Sequence, residues 1–161
     1  MDKLPFYRNY YEQPEIRNED VGLEERVTIT LKMVPKEIYS YLDIGCRDGT
    51  ILNKLGSDLF KVAVDISYNI LTSLKTKNKI LSRSDALPFR SNYCDLIVCT
   101  EVLEHLKEKE FNLTISEMGN RANSRKLYYN LSPLSGRFGK QIIVLFKLQQ
   151  YFLYPYAYGK L

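Results

Sequence analysis

The stretch SYLDIGCRDGTIL, Ser40 to Leu52, decides the fold. An apolar run ends on a carboxylate, Asp43. The chain then passes through Gly45 and Gly49 and resumes with Thr50, Ile51 and Leu52. This reads as a strand, a glycine-bearing turn and a helix. Gly45 and Gly49 permit backbone angles closed to other residues and let a ligand approach the main chain. A helix beginning near Asp48 or Gly49 offers unpaired N–H groups that suit a carboxylate or phosphate. A dinucleotide fold wants G-x-G-x-x-G at this place. Here the order is D-x-G-x-x-x-G, with Arg47 between the glycines. Glycine turns after strands are common, so this one alone identifies nothing.

The flanking sequence repeats the pattern. Tyr39 to Ile44 reads as a first strand, and Thr50 to Leu55 as a short helix ending near Gly56. KVAVDI, Lys61 to Ile66, is a second strand, and Ser67 is a fitting N-cap for a helix to about Lys77. Ile80 to Ser82 is a brief third strand. CDLIVCT, Cys94 to Thr100, is a continuous apolar run of the kind covered on both faces. Glu101 to about Met118 reads as helix, with Val102, Leu106 and Leu113 on its apolar side. Upstream, Asn18 to Val34 is a helix candidate, with Val21, Val27, Leu31 and Val34 along it and Pro35 ending it. Strands alternating with helices predict an α/β fold, a mostly parallel sheet with helices on both faces. Ligands of such sheets sit at the carboxyl ends of the strands, near the switch in strand order.

The acids fall at those ends. Asp65 closes the second strand, where a carboxylate can accept from two vicinal ribose hydroxyls. Asp85 follows the third strand and Glu101 the fourth. Each acid alone reads as a helix cap or a loop residue. In this order, together, they read as a site.

With these residues in place, the chain resembles the class I S-adenosylmethionine-dependent methyltransferases, nearest the small-molecule group that includes the quinone-biosynthesis enzymes. YLDIGCRDG, VAVDIS, SDALPF and CDLIVCTEVLEHL resemble that family's first four motifs, over roughly Tyr41 to Leu106. The resemblance implies a Rossmann-like sheet, S-adenosylmethionine as cofactor and a small-molecule methyl acceptor. It implies that Asp43, Gly45, Cys46 and Gly49 line the methionine part of the cofactor and that Asp65 binds the ribose. Ile66 would pack on the adenine, Asp85 would accept from its amino group, and Ala86 would offer a backbone contact. Cys99, Thr100 and Glu101 would pass under the methionine and the methyl group. The family usually has glycine where this chain has Arg47. The expectation is that the turn keeps ordinary angles there, with the side chain toward solvent.

His105, the only histidine, is the first candidate for a general base, with Glu101 the second and Glu104 a solvated helix acid. A packing or capping role for His105 weighs equally. A nicotinamide dehydrogenase is disfavoured, since it would leave SDALPF and EVLEHL unexplained. A non-catalytic binding module or partner subunit with an incomplete substrate site is the alternative.

Composition bounds the rest. The chain has 161 residues, 45% hydrophobic and 26% charged, enough for one domain with a real core. We divide it into an N-terminal cap and helix (1–36), a cofactor-binding core (37–117) and a basic, tyrosine-rich tail (118–161). Residues 1–117 carry all 19 acids against 16 basic side chains, and residues 118–161 carry 7 basic side chains and no acid. The acidic body speaks against nucleic acid as a partner; membrane-surface contact through the tail is not favoured. Cys46, Cys94 and Cys99 lie in or beside apolar runs and read as reduced thiols of a cytoplasmic protein. No metal-ligand spacing is present. The N-terminus lacks the apolar core of a signal peptide, and Phe6, Tyr7, Tyr10 and Tyr11 suit a cap or lid. The tail offers RKLYYNLS and GKQIIVLFKL, a trimmed ending to the sheet with a hairpin through Ser135 and Gly136. The abrupt loss of acids after Glu117 also fits a shifted reading frame, which the neighbouring frames of the coding DNA test.

Overall fold

The computed structural model describes residues 23–123 and two further strand segments, Leu127–Ser132 and Gln141–Phe146. The N-terminal aromatic cap and the proposed hairpin turn lie outside the described residues. In order, the elements are α1 (Leu23–Met33), β1 (Ser40–Ile44), α2 (Thr50–Lys54), β2 (Phe60–Asp65), α3 (Tyr68–Ser73), β3 (Asn78–Leu81), β4 (Leu96–Cys99), a 3₁₀ turn (Leu103–His105), α4 (Glu108–Arg121), β5 (Leu127–Ser132) and β6 (Gln141–Phe146).

The sheet order is β3-β2-β1-β4-β6-β5. The first four strands are all parallel: β1 pairs with β2 and β4, and β2 with β3. β6 runs antiparallel to β4 and to β5. After β3 the chain crosses to the other side of β1, so the switch in strand order falls between β1 and β4.

Strand alternation divides the core in two. Tyr41, Ala63, Leu96 and Val98 pack on one face with Val27, Ile51, Leu52, Ile70 and Leu71 from the first three helices. Leu42, Ile44, Val62, Val64, Ile97 and Cys99 pack on the other with Leu87, Leu103 and Met118. Adjacent side chains on a strand point to opposite faces, so Asp43 and Asp65 share the first face. β1 and β4 are also tied where they begin. Asp95 Oδ2 accepts from Tyr39 N (2.9 Å), Ser40 N (3.0 Å) and Ser40 Oγ (2.9 Å), and its Oδ1 accepts from Asn123 Nδ2 (2.7 Å).

Two helices differ from their sequence expectation. α3 has its N-cap at Ser67, whose Oγ accepts from Ile70 N at 3.3 Å, but it stops at Ser73 rather than near Lys77. Leu74 turns extended there, because the chain must reverse into β3 at Asn78. The single helix expected from Glu101 is broken. Glu101 sits at φ +56°, a left-handed angle that a helix cannot continue through. Leu106 is extended, and α4 starts afresh behind Lys107, whose N–H donates to Glu110 Oε2 at 3.0 Å. The restart changes which side is buried. Thr114 and Met118 face the core, with Phe111 and Ile115 packed beside them, while Leu113 is 44% exposed.

Candidate active site

β1 ends on Ile44, and the backbone turns through Gly45 (φ +72°), Arg47 (φ +47°) and Gly49 (φ +73°) before α2. Three left-handed positions make this a tight bend that wraps back on β2: Gly45 N donates to Val64 O at 2.8 Å. A Cβ at Gly45 would run into Val102 Cγ2, so only glycine fits. Arg47 does not keep ordinary angles. It takes the left-handed position a glycine would occupy more cheaply, and its N–H donates to Asp65 Oδ2 at 3.4 Å. Of the N–H groups at the start of α2, that of Thr50 is already taken by Asp48 Oδ1 at 3.1 Å.

This bend, the ends of β2 and β3, the segment after β4 and one side of α1 enclose a hollow of about 310 Å³. It lies at the carboxyl ends of the parallel strands. Asp43, Gly45, Cys46, Asp65, Ile66, Asp85, Thr100, Glu101 and His105 all line it. Three sequence candidates do not. Gly49 shapes the bend from behind, Ala86 is exposed, and Cys99 is buried on the second face of the sheet, in register with Ile44.

Asp43 is 2% exposed, and its Oδ1 has no hydrogen-bond partner among the described residues. Burial, together with the charges of Asp65 and Asp48, pushes its carboxyl up to about 7. Asp65 is also raised by burial, although hydrogen bonds from Ser67 (2.9 Å to Oδ1) and Arg47 oppose the shift. Cys46 Sγ lies 4.0 Å from Asp65 Oδ2, and burial followed by the charges of Asp43 and Asp65 holds its thiol protonated. This wall therefore gathers negative charge and open acceptor capacity in a half-dry space. It suits a ligand that brings positive charge and hydroxyl donors.

Other lining residues carried no sequence signal of a site. Arg26, on α1, is 5% exposed and lies 3.8 Å from Glu101 through Nε. Arg83 grips Asp85 with Nε–Oδ1 and Nη2–Oδ2 distances of 2.7 Å and reaches Glu110 Oε1 at 3.2 Å. His105 sits in the 3₁₀ turn rather than one turn into a long helix, half-buried at the edge of the hollow.

Residues 42–120 match a family model described as a methyltransferase domain. A curated relative, an uncharacterized protein of Methanocaldococcus jannaschii, is 36% identical over 89 residues, 55% of this chain and 39% of its own length. The chain thus spans about two fifths of that relative. Among solved structures, a putative methyltransferase of Haloferax volcanii in complex with the Trm112 activator superposes with a TM-score of 0.61 at 18% identity, covering 76% of this chain and 58% of its own. Magnesium protoporphyrin IX methyltransferase of Synechocystis with bound S-adenosylmethionine gives 0.60 at 14% identity, covering 90% and 96%. At these identities the likeness to the two structures is one of fold.

Proposed function

We propose that this chain, whose residues 42–120 match a methyltransferase-domain model, is a class I S-adenosylmethionine-dependent methyltransferase that binds that cofactor in the hollow above β1, β2 and β4 and passes its methyl group to a small-molecule acceptor. The observation that carries the reading is the buried acid pair. Asp43 keeps an oxygen without a partner, and Asp65 stands at the end of the neighbouring strand on the same face. A cationic nucleoside satisfies both.

The residues present fit such a group. Asp65 has lone pairs left for ribose hydroxyls beyond the bonds from Ser67 and Arg47. Asp43, beside the backbone of Gly45 and Cys46, would hold the positively charged end of the methionine part, and Ile66 would offer an aliphatic surface to the base. When bound, S-adenosylmethionine supplies a methyl group on a good leaving group. What remains for the protein is alignment and exclusion of water. Thr100 and Glu101 would lie toward the acceptor, with the Arg26 guanidinium 3.8 Å from Glu101. His105, which lines the hollow, would take a proton from an acceptor that must lose one.

Calorimetry with S-adenosylmethionine and its demethylated product tests this reading. Both are expected to bind, and Asp65→Ala is expected to weaken them about tenfold or more, as loss of charged hydrogen bonds does. Unchanged affinity in the variant would remove Asp65 from the site. A second reading keeps the cofactor and gives the chain a protein partner, as the Haloferax volcanii neighbour has. Binding without turnover until a partner is added is its mark.

A further inference from the structure

The end of the hollow next to β3 presents a guanidinium where an isolated carboxylate was expected. Arg83 has five N–H groups. Nε and Nη2 donate to the two oxygens of Asp85 at 2.7 Å each, and Nη2 also donates to Glu110 Oε1 at 3.2 Å. Glu110 is itself fixed, since its Oε2 accepts from the Lys107 N–H that starts α4. The guanidinium is thus held from two elements, the loop after β3 and α4. Among the described residues nothing accepts from its Nη1. All three side chains line the hollow.

We propose that Arg83 reads the base of the bound nucleoside, donating from Nη1 to an acceptor on the purine edge, while Asp85 and Glu110 hold its plane. The inference rests on the nucleoside site proposed above. It changes the chemistry of recognition at that end. A free carboxylate accepts from the 6-amino group of adenine and rejects a 6-oxo base, because two acceptors then face each other. An arginine donor tolerates the 6-oxo base and gains a bond from it. Asp85 becomes a positioning residue, acting through Arg83. Glu110, far along the sequence, becomes part of the same unit.

The experiment compares S-adenosylhomocysteine with S-inosylhomocysteine, its 6-oxo counterpart, by calorimetry. The wild-type chain is expected to bind the 6-oxo compound at least as tightly as the adenine compound. Arg83→Met is expected to weaken the 6-oxo compound about tenfold or more, the usual cost of a charged hydrogen bond, and the adenine compound less. Arg83 has a side chain 39% exposed, so its replacement opens no core cavity. Asp85→Asn keeps the shape and loosens the guanidinium, and is expected to move affinity in the same direction as Arg83→Met. A wild-type preference for adenine of about tenfold or more, of the kind seen when a site is built to bond one edge, overturns the proposal. So does an unchanged ratio in Arg83→Met, or a loss confined to the adenine compound in Asp85→Asn. If the wild-type chain binds neither compound, the nucleoside site itself is at fault and both readings fall.

Discussion

Asp43 is the residue on which the electrostatics of the site turn. Its carboxyl titrates near 7 because it is buried and faces Asp65 and Asp48, against 3.8 for the ordinary group. The folded, ligand-free chain therefore holds a proton that the unfolded chain has given up between those values. Stability then falls as pH rises from about 4 to about 7, by at most about 1.4 kcal/mol per pH unit for this one group. Asp43→Asn is expected to flatten that slope in urea titrations taken across the window. A slope as steep as the wild type would place the effect elsewhere. Ligand binding carries the opposite sign. A cationic ligand favours the ionised carboxylate, so affinity for S-adenosylmethionine should rise as pH passes upward through 7.

At the level of the elements, the sheet is anchored at one end and functional at the other. Asp95 joins the starts of β1 and β4 with three hydrogen bonds from Tyr39 and Ser40, and a fourth ties it to Asn123 behind α4. Despite its burial, the bonds from Tyr39, Asn123 and Ser40 hold its carboxyl below the ordinary range. Its contribution is therefore present at neutral pH and lost only as the solution becomes strongly acid. Asp95→Ala removes the acceptor of the part-buried Ser40 N–H and hydroxyl, and of the exposed Tyr39 N–H, and is expected to cost about 2 kcal/mol. Equilibrium unfolding should show that loss, while calorimetry shows unchanged cofactor affinity. A large change in affinity would mean that the two ends of the sheet are coupled. The same elements show what the sequence made legible. Asp43 and Asp65 could be placed because strands alternate, and one acid closes β2 while the other stands one residue before the end of β1. The same alternation sends Cys99 to the opposite face, since its neighbour Val98 is the residue beside Asp43. The break at Glu101 was hidden because EVLEHL is helix-compatible in composition, and a left-handed glutamate leaves no mark in a hydrophobic pattern. Arg83 and Glu110 were hidden for another reason. They are 27 residues apart, and only the folded packing of α4 against the loop after β3 joins them.

For the molecule as a whole, the three thiols report on its opening. Cys46 is 5%, Cys94 1% and Cys99 0% exposed. Burial raises each thiol, that of Cys94 to about 12. Reaction with an aromatic disulfide reagent must therefore wait for the core to open. Since Cys94 and Cys99 lie on the face away from the hollow, a ligand cannot shield them by contact. S-adenosylhomocysteine at a hundred times its dissociation constant should still slow their labelling about a hundredfold, because it binds only the closed state. Rates unaffected by ligand would show that the two faces open independently.

Arg47 and Glu101, the two left-handed residues that line the hollow, carry a consequence for stability. Each holds its backbone at a cost of about 1–2 kcal/mol that glycine would not incur. Replacement of either by glycine should therefore raise the midpoint of urea unfolding, at the expense of a charged group on the wall of the hollow.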